Sequence, residues 1–564
     1  LNTESFCDPA RSSLRCRFSP IATLRERCDS FIDHKIESLT ATQKNEPVNL
    51  ARREVLDACR AAAFQPAKVF GLNVPTGGGK TLSAMSFALS HAEQHDLRRV
   101  IVVIPYTSII EQNAEVYRDA VGLEDVVEHQ SNLDPEKQPA ILGEELTTRL
   151  ELACENWDAP VVVTTTVQFF ESLFSNHPSR CRKLHNIARS VVILDEVQTL
   201  PPAFLLAIIE VLNELTHNYG CSIVLSTATP PALAARERFE FGLRQIHQIV
   251  PNATELAREL NRVEYVWPCK QAPPVQWSEL AGELAGRQQV LAVVHRRNDA
   301  RTLAKDLQDI TDPDPVWHLS ALMCPAHRSE TLKRVKEALK RGEKCRVVST
   351  QVVEAGVDLD FPIVYRALAG LDSIVQSAGR CNREGRLEKG RVVLFRAPTS
   401  PPRGTLRRAL QVTDVLLREA GGNLDLSDPE LIERYFRMLY LGETLDVRGI
   451  QTLRDGFNFA SVGHDFRLIE DGFTQSVVVP YGDAEARLRD LRLRGPSRQT
   501  LRGLQPFVVN IYPDSFARLT RAGGLEELPG GLFALSKPYE HLYDEIFGLA
   551  AGDDPQAAPE ALVV

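Results

Sequence analysis

Three glycines followed by a lysine and a threonine are the residues of this 564-residue chain best suited to phosphate chemistry. They close the segment Asn73–Thr81, NVPTGGGKT. Glycines let successive backbone N–H groups turn inward around an anion, and a helix starting behind the loop adds its positive end. Thr76, Gly77, Gly78 and Gly79 would wrap the phosphates. Lys80 would reach the β- and γ-phosphates of ATP, and the Thr81 hydroxyl would bind Mg²⁺. The strict GxxxxGK[ST] spacing asks for glycine at 74, where this chain has Val74. Hydrolysis also needs an acidic pair. Asp195 and Glu196 stand near the end of the run VVILDEV, Asp195 115 residues after Lys80. Asp195 would hold Mg²⁺ through water, and Glu196 would activate the attacking water as general base. Ser226, Thr227 and Thr229 (STAT) end the next apolar run, where small hydroxyls can bond to the acidic box and relay its state.

A second constellation lies within 350–386. Gln376, Arg380 and Arg383 follow the pattern QxxGRxxR. On a helix, residues i and i+3 share a side, which would aim both arginines into one cleft. Arginines brought to a transferring phosphate stabilise its transition-state charge, an effect of about 10³–10⁵ in rate. The preceding segment EAGVD offers Gly356 for close backbone approach and Asp358 for a ribose or for a relay to the arginines. Carried on a separate lobe, the arginines would make hydrolysis depend on closure, which turns chemistry into motion.

These groups need strand ends to hold them. Short apolar, β-branched runs recur at Val100–Ile104, Val161–Val163, Val191–Leu194, Ile223–Leu225, Val290–Val294, Val347–Val348, Ile363–Val364 and Val392–Phe395. Amphipathic stretches such as Leu82–Ala92 and Glu330–Lys340 separate them, so the pattern predicts βαβ units and parallel sheets. The expected fold class is α/β: two tandem parallel-sheet lobes at 46–258 and 259–400. After Pro401 and Pro402 the reading is a helical linker to 478, with helices at Leu406–Ala420 and Pro429–Leu441. A small α+β C-terminal domain follows at 479–564, its acidic end 552–564 frayed. Residues 1–45 read as a leading segment, the remnant of an upstream domain or linker.

Bulk composition excludes several classes. No apolar run approaches the ~20 residues of a membrane span, and no signal peptide is visible. The 11 cysteines are scattered without a CxxC pair, which argues against zinc and for reduced thiols in a cytoplasmic protein. Net charge is −9, so nucleic-acid contact would need local basic grooves. The segment 487–502 holds six arginines, which could close such a channel or form a solvated face with acidic partners. The same alternatives hold for Lys333–Lys340.

The ordered set PTGGGKT, PYTSIIEQ, VVTTTVQ, DEVQ, STAT, VVHRRNDA, TQVVEAGVD and QSAGRCNREGR resembles the superfamily 2 helicases. PTGGGKT is the helicase-type phosphate loop, and with QSAGRCNREGR it resembles the helicase–nuclease of type I CRISPR systems. The stretch GPSRQTLRGLQPFVVNIY favours the subtype C branch. The resemblance implies RecA-like lobes, ATP and Mg²⁺ as cofactors, and 3′→5′ movement on single-stranded DNA. It also implies recruitment by an RNA-guided surveillance complex after R-loop formation. Carried over by position, Lys80, Thr81, Asp195, Glu196, Arg380 and Arg383 match the family's ATP site. Pro105–Thr107, Thr164–Thr166, His295–Asn298 and Ser320–Ala321 match strand-contacting or coupling motifs. The candidate DNA contacts are thus Pro105, Thr107, Thr164, Thr165, Arg296, Arg297 and Ser320.

Two departures stand out. DEVQ replaces the usual DEVH or DEAH, although Gln198 can still bond toward STAT. The family's HD nuclease needs clustered His and Asp, yet the His-Asp dipeptides here are His95-Asp96 and His464-Asp465, which read as surface pairs. The chain opens on LNTESF rather than Met, and LNTESF resembles the closing segment of that nuclease. The expectation is a chain cut after its nuclease, or a helicase subunit working with a separate one. The alternatives are another superfamily 2 motor acting on RNA or repair DNA, and an ATP-dependent clamp that never unwinds.

Overall fold

A computed structural model describes residues 18–550 apart from 67, 106, 131–143, 238, 270–271, 355, 442 and 469–473, and leaves the side chains of 107–109, 144–148, 151 and 498 undescribed. LNTESF and the acidic end 552–564 lie outside the described residues. The chain packs as two units. Within the described residues one comprises 18–130, 144–261 and 425–468, and the other 262–424 and 474–550.

In the first unit, helix α1 (Ile21–Glu37) buries Leu24, Cys28 and Ile32, an i, i+4, i+8 stripe. Helix α2 (Pro47–Ala62) follows, then strand β1 (Val69–Asn73) and helix α3 (Lys80–Gln94). Asp29 of α1 joins the three helices. Its Oδ1 accepts from Arg60 Nη2 of α2 at 3.1 Å and from Ser86 Oγ of α3 at 2.9 Å. Burial of the three α1 side chains contributes roughly 5 kcal/mol at ~1.5–3 kcal/mol each, so the leading segment is part of this unit's core.

The remaining strands are β2 (Arg99–Ile104), β3 (Val126–His129), β4 (Val161–Thr165), β5 (Ser190–Asp195), β6 (Ser222–Thr227) and β7 (His247–Gln248). They form one sheet in the order β3-β4-β2-β5-β6-β1-β7, every pairing parallel. Covered on both faces, such strands must be apolar throughout, and β2 and β6 are buried at every position. Register sets Asp195 opposite Ser226 and Asn73 opposite Thr227, so the polar motifs gather at the carboxyl ends, where open α/β sheets bind ligands. Helix α4 (Thr166–Phe174) follows β4. Residues 425–468 also pack here. The Phe466 ring stacks 3.9 Å from that of Phe174, and Val447 N donates to Ala203 O at 3.0 Å.

The second unit holds β8 (Val263–Val266), β9 (Gln289–Val293), β10 (Val316–Leu319), β11 (Cys345–Ser349), β12 (Ile363–Ala367) and β13 (Gly390–Phe395). Their order is β10-β11-β9-β12-β13-β8, again all parallel. Helices α5 (Arg297–Thr311), α6 (Pro325–Lys340) and α7 (Leu371–Ala378) belong to this lobe. Beyond it lie β14 (Gln475–Val478), α8 (Ala484–Arg494), β15 (Val508–Ile511), α9 (Pro513–Arg521), β16 (Leu525–Leu528) and β17 (Leu532–Leu535). These four strands make a mixed sheet in the order β15-β14-β17-β16.

A closing hairpin, β18 (Tyr543–Asp544) and β19 (Gly548–Leu549), ties this small domain to the lobe. Tyr543 OH bonds to Cys324 N at 3.1 Å and His327 Nδ1 at 2.9 Å. Leu549 N donates to Leu322 O at 2.9 Å. Gly548, at φ 69°, lies so close to that chain that a Cβ would stand 2.5 Å from Leu322 O, so no other residue fits. Phe547 enters the lobe core beside Leu303 and Val316. The fold is thus two RecA-like parallel-sheet lobes with a small α+β domain on the second.

Candidate functional site

The phosphate loop runs from β1 into α3. Val74 N continues the ladder by donating to Thr227 O at 3.1 Å, and Gly78 N closes a turn on Pro75 O at 3.1 Å. Gly77 and Gly79 both sit at φ 84°. A Cβ on Gly78 would come 2.5 Å from Val74 Cγ1, so the valine at the expected glycine position packs beneath the loop and demands glycine above it. Arg52 of α2 donates its Nε to Gly77 O at 2.9 Å. Sequence reasoning missed Arg52, because an arginine on an amphipathic helix reads as solvated surface.

Lys80 and Thr81 open α3, and Thr76 lies in the loop before it. Lys80 Nζ is buried, has no hydrogen-bond partner among the described residues, and lies 3.8 Å from Glu196 Oε1. A buried ammonium beside a glycine cradle is costly unless an anion shares the space, which is the environment a polyphosphate supplies. Thr81 and Asp195 add hard oxygen donors of the kind Mg²⁺ takes. The residues present therefore fit ATP with Mg²⁺.

The acidic pair is wired to STAT at two points. Ser226 Oγ donates to Asp195 Oδ1 at 3.0 Å. Gln198 donates its Nε2 to Glu196 Oε2 at 2.6 Å, while its Oε1 accepts from Thr227 Oγ1 at 2.5 Å. Thr227 Oγ1 in turn accepts from Thr229 N at 2.9 Å. An amide can accept and donate at once, so glutamine makes this bridge without the usual histidine. Glu196 takes left-handed backbone at φ 48°, a cost of about 1–3 kcal/mol that its surroundings must hold in place. Burial first, and then the neighbouring Glu196 carboxylate, push the Asp195 carboxyl up to about 6, against the opposing pull of Lys80. A cation at this site would return it to the charged form.

In the second unit the structure corrects the expectation of one helical face for Arg380 and Arg383. Helix α7 ends at Ala378, Gly379 caps it, and both arginines lie in the turn beyond. The break separates their environments. Arg380 is buried and donates to Val353 O at 2.9 Å and Glu354 O at 2.7 Å. Arg383 Nη2 pairs with Asp358 Oδ1 at 2.5 Å, and its N–H donates to Asp360. Gln376 is buried on α7, and Gly356 takes φ 74° in the loop after β11. Glu354 of that loop pairs with fully buried Arg366 at 2.8 Å and accepts from Ser373 and Ser377 of α7. This buried cluster joins the EAGVD loop to the helix that presents the arginines.

Three expected strand contacts have hydroxyls committed internally. Thr164 Oγ1 donates to His129 O at 3.0 Å, and Thr165 Oγ1 accepts from Gln168 N at 2.9 Å as the N-cap of α4. Ser320 is fully buried and bonds to His318 Nε2 at 2.9 Å and Leu322 N at 3.2 Å. Such residues fix loops at strand ends, and any strand contact there falls to backbone N–H groups. Pro105 is partly exposed, and the Thr107 side chain lies outside the described residues. Arg296 and Arg297 project at the start of α5 and bond to Ser400 O at 2.9 Å and Asn510 O at 3.0 Å. The arginines of α8 are neutralised: Arg487 pairs with Asp483, Arg489 with Glu485, Arg492 with Glu526 and Arg494 with Asp490. Among the described residues no group of three or more His, Cys, Asp or Glu could hold a metal ion, and no helix is long and apolar enough to cross a membrane.

The chain matches the DEAD/DEAH box helicase family over residues 54–237 and the C-terminal family of the CRISPR-associated nuclease/helicase Cas3 over 286–386. It is similar to the CRISPR-associated nuclease/helicase Cas3 of Haloferax volcanii, 26% identical over 465 residues that cover 60% of this chain and 47% of that protein. The protein of the same name from Methanothermobacter thermautotrophicus is 26% identical over 395 residues, covering 66% and 46%. The chain thus spans about half the length of the curated relatives it matches. The crystal structure of T. fusca Cas3-ATP superposes with a TM-score of 0.61 at 16% identity, covering 86% of this chain and 67% of that one; at that identity the likeness speaks for the fold. With both helicase families matched in order and the motif residues of the first lobe drawn together at the carboxyl ends of its sheet, the chain is similar to the DEAD/DEAH box helicases over its first lobe and to the CRISPR-associated nuclease/helicase Cas3 over its second.

Proposed function

We propose that the chain is an ATP-driven translocase that moves 3′→5′ on single-stranded DNA and unwinds target DNA in type I CRISPR interference. It would be recruited to the R-loop by an RNA-guided surveillance complex, with the cutting activity supplied in cis or trans by a nuclease. The functional parts would be the lobes 46–258 and 259–400, the linker 401–478 and the domain 479–564, preceded by the segment 1–45. The observation that carries the reading is the two-armed bridge Glu196–Gln198–Thr227, which ties the acidic pair to STAT.

Mg²⁺-bound ATP supplies the phosphoanhydride bond and the neutralising metal charge. Lys80 and the Gly77–Gly79 amides would hold the phosphate oxygens, and Thr81 and Asp195 would hold the metal. Glu196 accepts the proton of the attacking water at a carboxylate oxygen. Protonation there weakens its bond from Gln198, which passes the change to Thr227 and on to Thr229. Arg383, braced by Asp358, supplies positive charge to the transition state, and Arg380 holds the loop that carries Asp358.

Substrate-stimulated ATPase assays test the reading. Stimulation by single-stranded DNA, with loss of hydrolysis but retention of DNA binding in Lys80→Ala and Arg383→Ala, is the expected result. Stimulation by RNA alone would overturn the DNA assignment, and retained ATPase in either variant would overturn the site.

A further inference from the structure

Lys183 is a buried cation that the chemistry at the ATP site does not use. It is 4% exposed and stands at the start of the short helix Leu184–Ile187. The acidic side chains on the elements around it serve other cations. Glu171 pairs with Arg180 at 3.6 Å, Glu155 with Arg182 at 3.2 Å and Glu128 with Arg118 at 2.9 Å. Lys183 itself pairs with no carboxylate among the described residues. A desolvated ammonium without a counter-ion is costly, and a methionine of similar length would fill the space without that cost. What the ammonium does meet is a hydroxyl and an aromatic face. Its Nζ donates to Ser172 Oγ of α4 at 3.2 Å and stands 4.9 Å from the centroid of the Trp157 ring.

Both contacts lead to one turn. Ser172 Oγ donates to Gln168 O at 2.5 Å, and Gln168 N donates to Thr165 Oγ1 at 2.9 Å, so the first arm ends on the N-cap of α4. On the second arm, Trp157 Nε1 donates to His129 Nδ1 at 2.9 Å, at the end of β3, and His129 O accepts from Thr164 Oγ1 at 3.0 Å. Trp157 is fully buried, lies parallel to the Phe169 ring of α4 and takes left-handed backbone at φ 62°. A bulky residue keeps that conformation only where its surroundings hold it. The ammonium therefore joins α4 to the end of β3, and Thr164 and Thr165, the last residues of β4, sit where the two arms meet.

We infer that Lys183 is a positioning residue for strand binding, tying Ser172 and Trp157 together so that the Thr164–Thr165 turn keeps the geometry in which its backbone meets single-stranded DNA. The hydroxyls of the turn are committed to the two arms, which leaves its backbone N–H groups for phosphate, and such contacts are as precise as the support behind them. The inference rests on the proposed single-stranded DNA translocase and adds to it a buried residue that touches neither ATP nor the strand. Burial first, and then the Arg180 and Arg182 charges, lower Lys183 to about 8, against the opposing pull of Cys154. With Glu155, Glu171 and, beyond the Trp157 ring, His129, these are the titratable and charged groups around it. The ammonium is charged below about pH 8 and neutral above it, so its cation–π attraction and charge-assisted donation are lost as pH rises through that value.

The test is the dissociation constant of a labelled oligothymidine for the full chain, read by fluorescence anisotropy at fixed ionic strength from about pH 6.5 to about pH 9.5. In the parent, binding should weaken about tenfold as pH rises through about 8, as loss of a charge-assisted hydrogen bond implies. Lys183→Met should bind about tenfold more weakly than the parent at about pH 7 and show no step near pH 8. Ser172→Ala, a smaller change that cuts the first arm alone, should weaken binding by about three- to tenfold at about pH 7 and shrink the step. If Lys183→Met does not fold, the parent's step and Ser172→Ala decide. Parent binding without a step near pH 8, or variants that share the parent's affinity and profile, would refute the role while the translocase reading stands. Weakening in Lys183→Met with the parent's step intact would also refute it, because the loss would then come from packing alone. If the parent binds no oligothymidine at any pH, the translocase reading fails and takes the role with it.

Discussion

Asp195→Asn should stabilise the nucleotide-free protein while destroying its activity. The Asp195 carboxyl is buried beside Glu196 and stands at about 6, against 3.8 for an unburied aspartate. A pKa raised on folding means the charged form is less welcome in the native state than in the unfolded one. The group therefore costs nothing below about pH 4, and its penalty grows as pH rises through about 6. Roughly two units at ~1.4 kcal/mol each set the full penalty near 3 kcal/mol above pH 7. Asparagine keeps an oxygen to accept from Ser226 Oγ and removes the charge. Thermal unfolding without nucleotide should show the variant more stable by about 2–3 kcal/mol at pH 7.5, a rise of several degrees in Tm, with the difference fading by about pH 4. Added Mg²⁺ and a non-hydrolysable ATP analogue should raise the Tm of the parent more than that of the variant. A variant equally or less stable at pH 7.5 would refute the idea that the acidic pair is held under electrostatic cost.

Three further outcomes follow from the same geometry. Gln198→Ala leaves Glu196 Oε2 and the Thr227 hydroxyl without their bridge; the ratio of DNA-stimulated to unstimulated ATPase should fall about tenfold, as loss of a charge-assisted hydrogen bond implies, and Gln198→His should recover much of it. Arg366→Met leaves Glu354 buried and unpaired, which should cost the second unit about 3–5 kcal/mol by urea unfolding; adding Glu354→Gln should restore part of that stability. Arg52→Ala frees the Gly77 carbonyl, and steady-state kinetics should show KM for ATP rising about tenfold with a smaller change in kcat, since the missing bond is to the loop that binds phosphate.

The strands that carry the site were legible because each is a β-branched run buried on both faces. Val191–Leu194 became β5 and Val392–Phe395 became β13 with only end residues added. Strands β3 (VVEH) and β10 (VWHL) are short and mix apolar with polar residues, and so give no such signal. Helix α1 was hidden for a different reason. Its three buried side chains are spread among many charged residues, and the acid that docks it, Asp29, finds Arg60 and Ser86 only once the fold brings them near. The ATP-site residues were legible from type and order alone. The geometry of Arg380 and Arg383 was not, because Gly379 ends α7 one residue before the first of them and sends the two guanidiniums to different partners. Thr164, Thr165 and Ser320 show the limit of motif matching: position at a strand end was readable, but the internal bonds of their hydroxyls depend on neighbours distant in sequence or on loop conformation.

The central claim is ATP-driven, directional movement on single-stranded DNA. Streptavidin displacement from biotinylated oligonucleotides tests it most directly. The expected result is ATP-dependent displacement from the 5′ end, none from the 3′ end, and none at either end with Glu196→Gln. ATP hydrolysis and DNA binding without displacement at either end, or displacement from the 3′ end, would contradict it.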